Sequence, residues 1–98
     1  MKIKDLKPHM ENITLVGRVL SVTQPIEINM KKYAYAVLED GSGEIGLNLW
    51  REQVAQVEEG DLVKIKDAFV HVKRGVKQIS TWSNIEKGSL KDLDDSVS

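Results

Sequence analysis

Two stretches of alternating apolar and polar residues lie near the middle of the chain, separated by a short glycine-containing segment. Residues 33–50 read YAYAVLEDGSGEIGLNLW. Because side chains of a strand alternate between its two faces, each stretch has one apolar face. The pattern predicts an antiparallel hairpin with its turn at residues 39–43. The positions predicted to face a core are Ala34, Ala36, Leu38, Ile45, Leu47 and Leu49.

The opposite face of this hairpin has a different composition. It carries Tyr33 and Tyr35 on the first strand and Trp50 at the end of the second, with Gly46 and Asn48 between. Since Trp50 alternates with the core position before it, it is predicted to face outward. A sheet face with aromatic rings and small or polar groups between them is suited to a flat ligand.

The remaining chain predicts three more strands and one short helix. The first strand covers residues 13–24, with Gly17 marking a bend, and the last two cover 61–72 and 76–85. Residues 51–59 form the helix candidate, of only a turn or two. The fold class is therefore all-β, a five-stranded OB-fold barrel with a short helix between strands 3 and 4. Another small barrel, such as an SH3-like one, is the alternative; the long first strand and the helix position favour the OB-fold.

The predicted domain covers residues 13–87. Residues 1–12 are interpreted as an N-terminal tether, and residues 88–98 as an acidic, disordered tail. Two alternatives stay open for the apolar side chains of the tether, which either dock on the barrel or are loosely ordered. These side chains are Met1, Ile3, Leu6 and Met10.

Composition narrows the function classes. With 98 residues, 41% hydrophobic and 30% charged, the chain has the composition of a soluble domain, without a bilayer-spanning run or a signal-peptide pattern. We expect a cytoplasmic location and no membrane partner. The absence of cysteine excludes disulfides and thiolate metal sites. Although the net charge is -1, residues 62–87 hold six lysine and arginine residues against two acidic ones. A role in nucleic-acid binding would therefore depend on local positive charge.

Four segments resemble the archaeal single-stranded-DNA-binding OB domains and the DNA-binding domains of replication protein A. The resemblance covers roughly residues 4–88. The segments are DLKP with MEN and VGRVL from residue 5 to 20, LEDGSGEI at 38–45, LNLW at 47–50 and EGDLVKI at 59–65.

The resemblance implies that Trp50 is a base-stacking platform and that Phe69 occupies an aromatic stacking position on the fourth strand. From alternation alone, Phe69 belongs either to the binding face or to closure of the barrel. Relatives often carry a further aromatic before the glycine of the next turn, whereas this chain has Lys73 and Arg74 there. Trp82, late in the last strand, is the candidate to compensate.

Further candidates come from the residue types beside the predicted face. Tyr33 and Tyr35 are candidate base contacts, and a set of cations is expected to bind phosphate. His9 and His71 are too isolated for a metal site, and no nucleophile–histidine–carboxylate set is present. The candidate cations are Arg18, Lys31, Lys32, Lys73, Arg74 and Lys77.

These observations predict a non-enzymatic domain that binds single-stranded DNA by base stacking and phosphate contacts, as an accessory of replication or repair. No cofactor and no metal are expected. One alternative is an OB-fold subunit that contacts protein within a complex similar to replication protein A. The other is RNA binding, which differs in 2′-hydroxyl contacts that a sequence does not reveal.

Overall fold

The computed structural model describes residues 2–88. This part of the chain forms seven β-strands, one α-helical turn and one 3₁₀ turn at Ile3–Asp5. In chain order the other elements are β1 (Ile13–Val22), β2 (Ile26–Ile28), β3 (Lys31–Glu39), β4 (Glu44–Trp50), α1 (Gln53–Gln56), β5 (Leu62–Lys73), β6 (Val76–Thr81) and β7 (Glu86–Lys87).

The five long strands close into a ring. Their order is β1-β3-β4-β6-β5, and β5 also pairs with β1, so the sheet has no open edge along these strands. Strand β4 runs parallel to β6, whereas the other long pairs are antiparallel. The predicted all-β OB architecture is confirmed, with the helix between the third and fourth long strands. The two short strands are additions, since β2 extends the β3 edge and β7 pairs with β5.

The alternation of the central hairpin has the predicted consequence. Residues Ala34, Leu38, Leu47 and Leu49 are completely buried in the core. Strands β3 and β4 pair from Tyr33 opposite Trp50 to Glu39 opposite Glu44, so the whole hairpin stays in register. One continuous row of side chains on the two strands therefore lines the core, and the next row faces outward.

A bulge in β5 re-aims the second half of that strand. Val63 and Ile65 are buried, and the next buried side chain is Ala68, three residues on, where regular alternation would give a spacing of two. Asp67 absorbs the extra residue with φ of 53°. This β-bulge turns Phe69 to the outer surface.

Gly17 lies where β1 passes from one partner to the other. It pairs with Val63 of β5, and the next residue, Arg18, pairs with both β3 and β5. A Cβ on Gly17 would stand 3.0 Å from the carbonyl oxygen of Glu39, which explains the glycine by close backbone approach. The register irregularities of β1 flank this position rather than fall on it.

The N-terminal segment packs against the barrel. Of the two alternatives, docking and loose order, the structure therefore shows docking. Ile3 and Leu6 are 4% and 1% exposed and belong to the core. Asp40, in the β3–β4 turn, accepts hydrogen bonds from the Ile3 amide at 2.9 Å and from the Ser42 amide at 2.8 Å. Burial raises the pKa of Asp40, but hydrogen bonds from Ser42, Ile3 and Gly43 outweigh it and leave the pKa below its usual value. The turn thus holds the segment through an ionised carboxylate.

The end of the described chain continues to follow β5, because the Gly88 amide donates to the Leu62 carbonyl at 2.8 Å. Residues 89–98, which include most of the predicted acidic tail, lie outside the described residues. Within the described chain, neither helix has the length and apolar content needed to cross a bilayer.

Candidate nucleic-acid interface

The outer surface of β3, β4, β6 and β5 carries a band of aromatic and polar side chains, here called the binding face. Its rows follow from the strand pairing. Tyr33 lies opposite Trp50, and Tyr35 lies opposite Asn48. On the other half, Phe69 lies opposite Ser80. Parallel pairing of β4 with β6 brings the two halves together at one level.

The first aromatic pair is Tyr33 with Trp50. Their ring centroids are 4.6 Å apart and their planes are tilted by 53°. The Arg51 amide donates to the Lys32 carbonyl at 2.9 Å, so the neighbouring Tyr33–Trp50 pair is at a non-hydrogen-bonded position, where opposed side chains come closest. Trp50 is half-buried.

The tyrosine hydroxyls of β3 are directed along the face. The Tyr33 hydroxyl donates to the amide oxygen of Asn48. Burial, and then the neighbouring Tyr35, raises the pKa of Tyr33, which keeps this donor protonated. Tyr35 reaches over Gly46, where an added Cβ would stand 1.8 Å from the Tyr35 hydroxyl oxygen. Gly46 therefore leaves the space in which the Tyr35 ring lies.

The second aromatic pair is Phe69 with Trp82. The rings stack with centroids 5.9 Å apart and an interplanar angle of 30°. Phe69 lies on the outer surface, because its neighbours Ala68 and Val70 fill the core positions. Trp82 follows directly after β6 and is 89% exposed, an unusual exposure for the largest side chain. Of the two alternatives for Phe69, the structure shows the outward one.

Polar side chains connect the two aromatic pairs. Asn48 is 6% exposed, and its amide nitrogen donates to the Gln78 side-chain oxygen at 3.0 Å and lies 3.3 Å from His71 Nε2. His71 Nε2 also lies 2.9 Å from the Ser80 hydroxyl. Together with the Tyr33 hydroxyl, these contacts hold the centre of the face in one arrangement.

A cleft of about 510 Å³ separates the two tryptophans. It opens at the end of the face where β4 and β6 finish. Lys31, Arg51 and Glu52 lie on one side, and Ser83 and Asn84 on the other. Gln53 and Thr81 complete the lining, between Trp50 and Trp82. The volume falls within the range of small-molecule sites and is sufficient for a nucleobase.

The predicted cations divide into two groups, and the first accompanies the face. Lys31 lines the cleft beside Trp50. Lys73 lies opposite Val76 and follows Phe69 and His71 on the outward row of β5. Arg74 and Gly75 form the two-residue turn with φ of 55° and 79°, the signature of a type I′ hairpin.

The other predicted cations lie off the face. Lys32 is on the opposite side of β3 from Lys31. Lys77 donates to the Leu6 carbonyl at 2.9 Å and thus fastens the N-terminal segment. Arg18 donates to the Gly60 carbonyl at 3.0 Å and lies opposite Glu39, six residues along β3 from Tyr33. At about 3.3 Å per residue that is roughly 20 Å from the aromatic pair.

Several residues of the interface were not singled out from the sequence. Asn48 and His71 have outward positions in the alternation, but polar residues on a strand surface are common. Gln78 needed knowledge that β6 lies beside β4, a parallel pairing between distant segments. Arg51 follows Trp50 directly, at the end of β4, and has a φ of 56°. Among residues 2–88, no group of three or more acidic or histidine side chains that could hold a metal ion is found.

Comparison with known proteins agrees with this geometry. Residues 13–81 match the tRNA anticodon family, described as an OB-fold nucleic acid binding domain. The chain belongs to this family. This match covers the closed sheet and every strand of the binding face.

Individual relatives point in the same direction. The chain is 30% identical over 86 residues to the single-stranded DNA binding protein Ssb of Saccharolobus solfataricus, covering 84% of this chain and 58% of that protein. It thus spans little more than half the length of that relative. The resemblance to archaeal single-strand-binding proteins and replication protein A domains is confirmed.

Two solved structures share the fold closely. The replication factor A related protein from Methanobacterium thermoautotrophicum has a TM-score of 0.77 at 23% identity, covering 92% of this chain and 91% of that one. A domain of replication protein A from Methanococcus maripaludis has a TM-score of 0.69 at 28% identity, with 89% and 96% covered. The first of these likenesses speaks for the fold alone.

Proposed function

We propose that this domain binds single-stranded DNA, without catalysis, by stacking bases on the two aromatic pairs. One observation carries the proposal: Tyr33–Trp50 and Phe69–Trp82 flank a base-sized cleft on a single face. Flat, apolar surfaces left open to water are costly unless a ligand covers them. Each base stacked on an aromatic side chain contributes about 1–3 kcal/mol and does so for any base.

The aromatic rings indicate the direction of the strand. They are arranged across β3, β4, β6 and β5 rather than along any one strand. Neighbouring strands are about 4.8 Å apart, so the row is at least roughly 14 Å long, and longer where the cleft separates the tryptophans. Bases would lie on this row with the backbone running across the strands.

Some cations lie at the cleft, and others lie beyond the aromatic row on β5, four residues past Phe69 or roughly 13 Å along the strand. Lys31 and Arg51 are at the cleft, and Lys73 and Arg74 are at the far end of the outward row of β5. These positions suit phosphate contacts that release counterions. Glu52 lies on the same side of the cleft as Lys31 and Arg51 and lowers the local positive charge there. The net charge of -1 makes local contacts more important than long-range attraction.

A role in replication is supported by two of the relatives named above, a single-stranded DNA binding protein and a domain of replication protein A. The family description is broader, since it names nucleic acid in general and the family is named after the tRNA anticodon. RNA binding is therefore the second candidate. The same rings would stack RNA bases, and the difference would lie in contacts to the 2′-hydroxyl.

The test is a tryptophan fluorescence titration of the chain with oligo-dT, oligo-U and a DNA duplex of equal length. We expect quenching and tight binding with oligo-dT, weaker binding with oligo-U, and none with the duplex at moderate salt. Because both tryptophans lie on the face, Trp82→Phe and Trp50→Phe variants separate the two signals. Equal binding of oligo-U and oligo-dT would favour the RNA candidate, and no quenching by any oligonucleotide would exclude the stacking face.

A further inference from the structure

The pairing of strands β4 and β6 ends just before the cleft. Their parallel pairing covers Gly46 with Gln78 and Leu47 with Ile79. Beyond it, β4 continues to Trp50 and the other segment continues past Thr81 to Trp82, without further pairing. Backbone groups along this gap need partners, since unpaired buried amides and carbonyls are destabilising.

One of these groups is the amide of Trp50. The Arg51 amide already bonds to β3 through the Lys32 carbonyl, and bonding directions alternate along an antiparallel pair. The Trp50 amide therefore points away from β3 and into the gap. There it donates to the side-chain oxygen of Gln53 at 3.1 Å.

The same side chain reaches across to the other segment. Gln53 Nε2 donates to the carbonyls of Thr81 and Ser83, each at 2.8 Å. These two residues are the immediate neighbours of Trp82. Gln53 is only 7% exposed, and both of its amide protons are used. A single buried amide thus joins the backbone at Trp50 to the backbone on both sides of Trp82, in place of the missing strand ladder.

From this geometry we infer that Gln53 is a positioning residue that sets the separation of Trp50 and Trp82 and holds the cleft open for one base. The inference rests on the proposed function for its ligand, but its structural part does not. Three directional bonds fix both distance and orientation, whereas apolar packing alone would let the two ends approach and close the gap.

The chain offers a matched control on the same helical turn. Gln56 also reaches the segment after β6, with its amide nitrogen 3.2 Å from the Asn84 side-chain oxygen and its oxygen accepting from the Ile85 amide at 2.9 Å. It makes no hydrogen bond at Trp50. Loss of Gln56 therefore reports on general loosening of the loop, and loss of Gln53 on the link between the tryptophans.

The experiment compares Gln53→Met with Gln56→Met, which keep side-chain length and remove hydrogen bonding. Fluorine NMR of the chain labelled with 5-fluorotryptophan is recorded without DNA. We expect both indole signals to shift and broaden in Gln53→Met, and the Trp50 signal to stay unchanged in Gln56→Met. Oligo-dT binding should weaken by about tenfold or more in Gln53→Met only, a loss comparable with that of one base stack.

Unchanged fluorine signals and unchanged oligo-dT affinity in a folded Gln53→Met chain would overturn the inference. If the unmodified chain fails to bind oligo-dT, the proposed function fails, and the fluorine spectra alone decide the role of Gln53. If Gln53→Met does not fold, Gln53→Glu replaces it. That change keeps an acceptor for the Trp50 amide and loses both donors, so the Trp82 signal should move more than the Trp50 signal; equal or absent movement would contradict the inference.

Discussion

Tyr33 and Trp50 face each other across β3 and β4 with ring centroids 4.6 Å apart, while the Tyr33 hydroxyl is bonded to Asn48 one step farther along the same face. The Tyr33 ring therefore supports one side of the indole and is itself fixed at its far end. Under the proposed function, a base stacking on this pair would cost little conformational freedom, because the rotamers of both rings are already restricted.

We predict that Trp50→Ala weakens oligo-dT binding by about 1–3 kcal/mol, since it removes one base stack. Tyr33→Phe should have a smaller effect, because it keeps the ring and removes only the bond to Asn48. Affinities are measured by fluorescence anisotropy of a labelled oligonucleotide. Leu20→Ala, at an exposed apolar position of β1, serves as the control and should leave affinity unchanged. Equal affinity of Trp50→Ala and Leu20→Ala would contradict the stacking role.

The second prediction concerns the basic turn of the β5–β6 hairpin. Replacing Lys73 and Arg74 by alanine should make the slope of log K against log salt shallower by roughly 0.7 to 1.4, at about 0.7 per phosphate contact on a single strand. Stacking on Trp50 should persist, because it needs no cation. The measurement is oligo-dT affinity at several salt concentrations.

The matched control for that prediction removes equal charge elsewhere. Lys66 and Lys87 form ion pairs with Glu86 and Asp61, on the β5–β7 side of the barrel. Their double replacement by alanine should leave the slope unchanged. If both double variants lower the slope equally, overall charge rather than the turn determines the salt dependence, and the phosphate role of Lys73 and Arg74 is wrong.

Gly46 provides a third prediction. A Cβ there would collide with the end of the Tyr35 side chain, 1.8 Å from its hydroxyl oxygen, so Gly46→Ala must displace that ring. We expect weaker oligo-dT binding with a folded barrel, since a side-chain end can move more cheaply than backbone. In a Tyr35→Ala background, Gly46→Ala should cause no further loss of oligo-dT affinity. A double-mutant cycle tests this, and additive losses would show that Gly46 acts independently of Tyr35.

Local alternation was sufficient for much of the interface. It set the outward direction of Tyr33 and Trp50, whereas the direction of Phe69 became clear only from the bulge at Asp67 in the structure. The roles of the basic residues were harder to predict, because the sequence does not show which group a lysine on a strand contacts. Lys77 is the second residue after the turn that Lys73 directly precedes, yet it lies on the other side of the hairpin and donates to the Leu6 carbonyl.

Contacts between distant segments account for what the sequence did not show. Asn48, His71 and Gln78 come from three strands, and their network depends on the parallel pairing of β4 with β6. In the sequence, Gln53 is an ordinary polar residue of a short helix candidate. Its position beneath the cleft follows from the separation of two strands, which no local pattern encodes.

The last prediction concerns acid stability. Hydrogen bonds to the Asp40 carboxylate leave its pKa below the usual value in the folded chain, so folding favours the ionised form. Its contribution to stability is full above the unfolded pKa of about 3.9 and is lost as the pH falls through the folded pKa. Asp40→Asn keeps only one acceptor oxygen, so it cannot accept from both the Ile3 and the Ser42 amides. Urea unfolding should therefore show wild type more stable than Asp40→Asn at pH 7, with the difference shrinking below about pH 4.

The pKa of Asp61 is also lowered, by its hydrogen bond with Lys87. Because Asp61 is present in both chains, its contribution cancels in the stability difference. A stability difference that is constant with pH would show that the Asp40 charge does not hold the N-terminal segment.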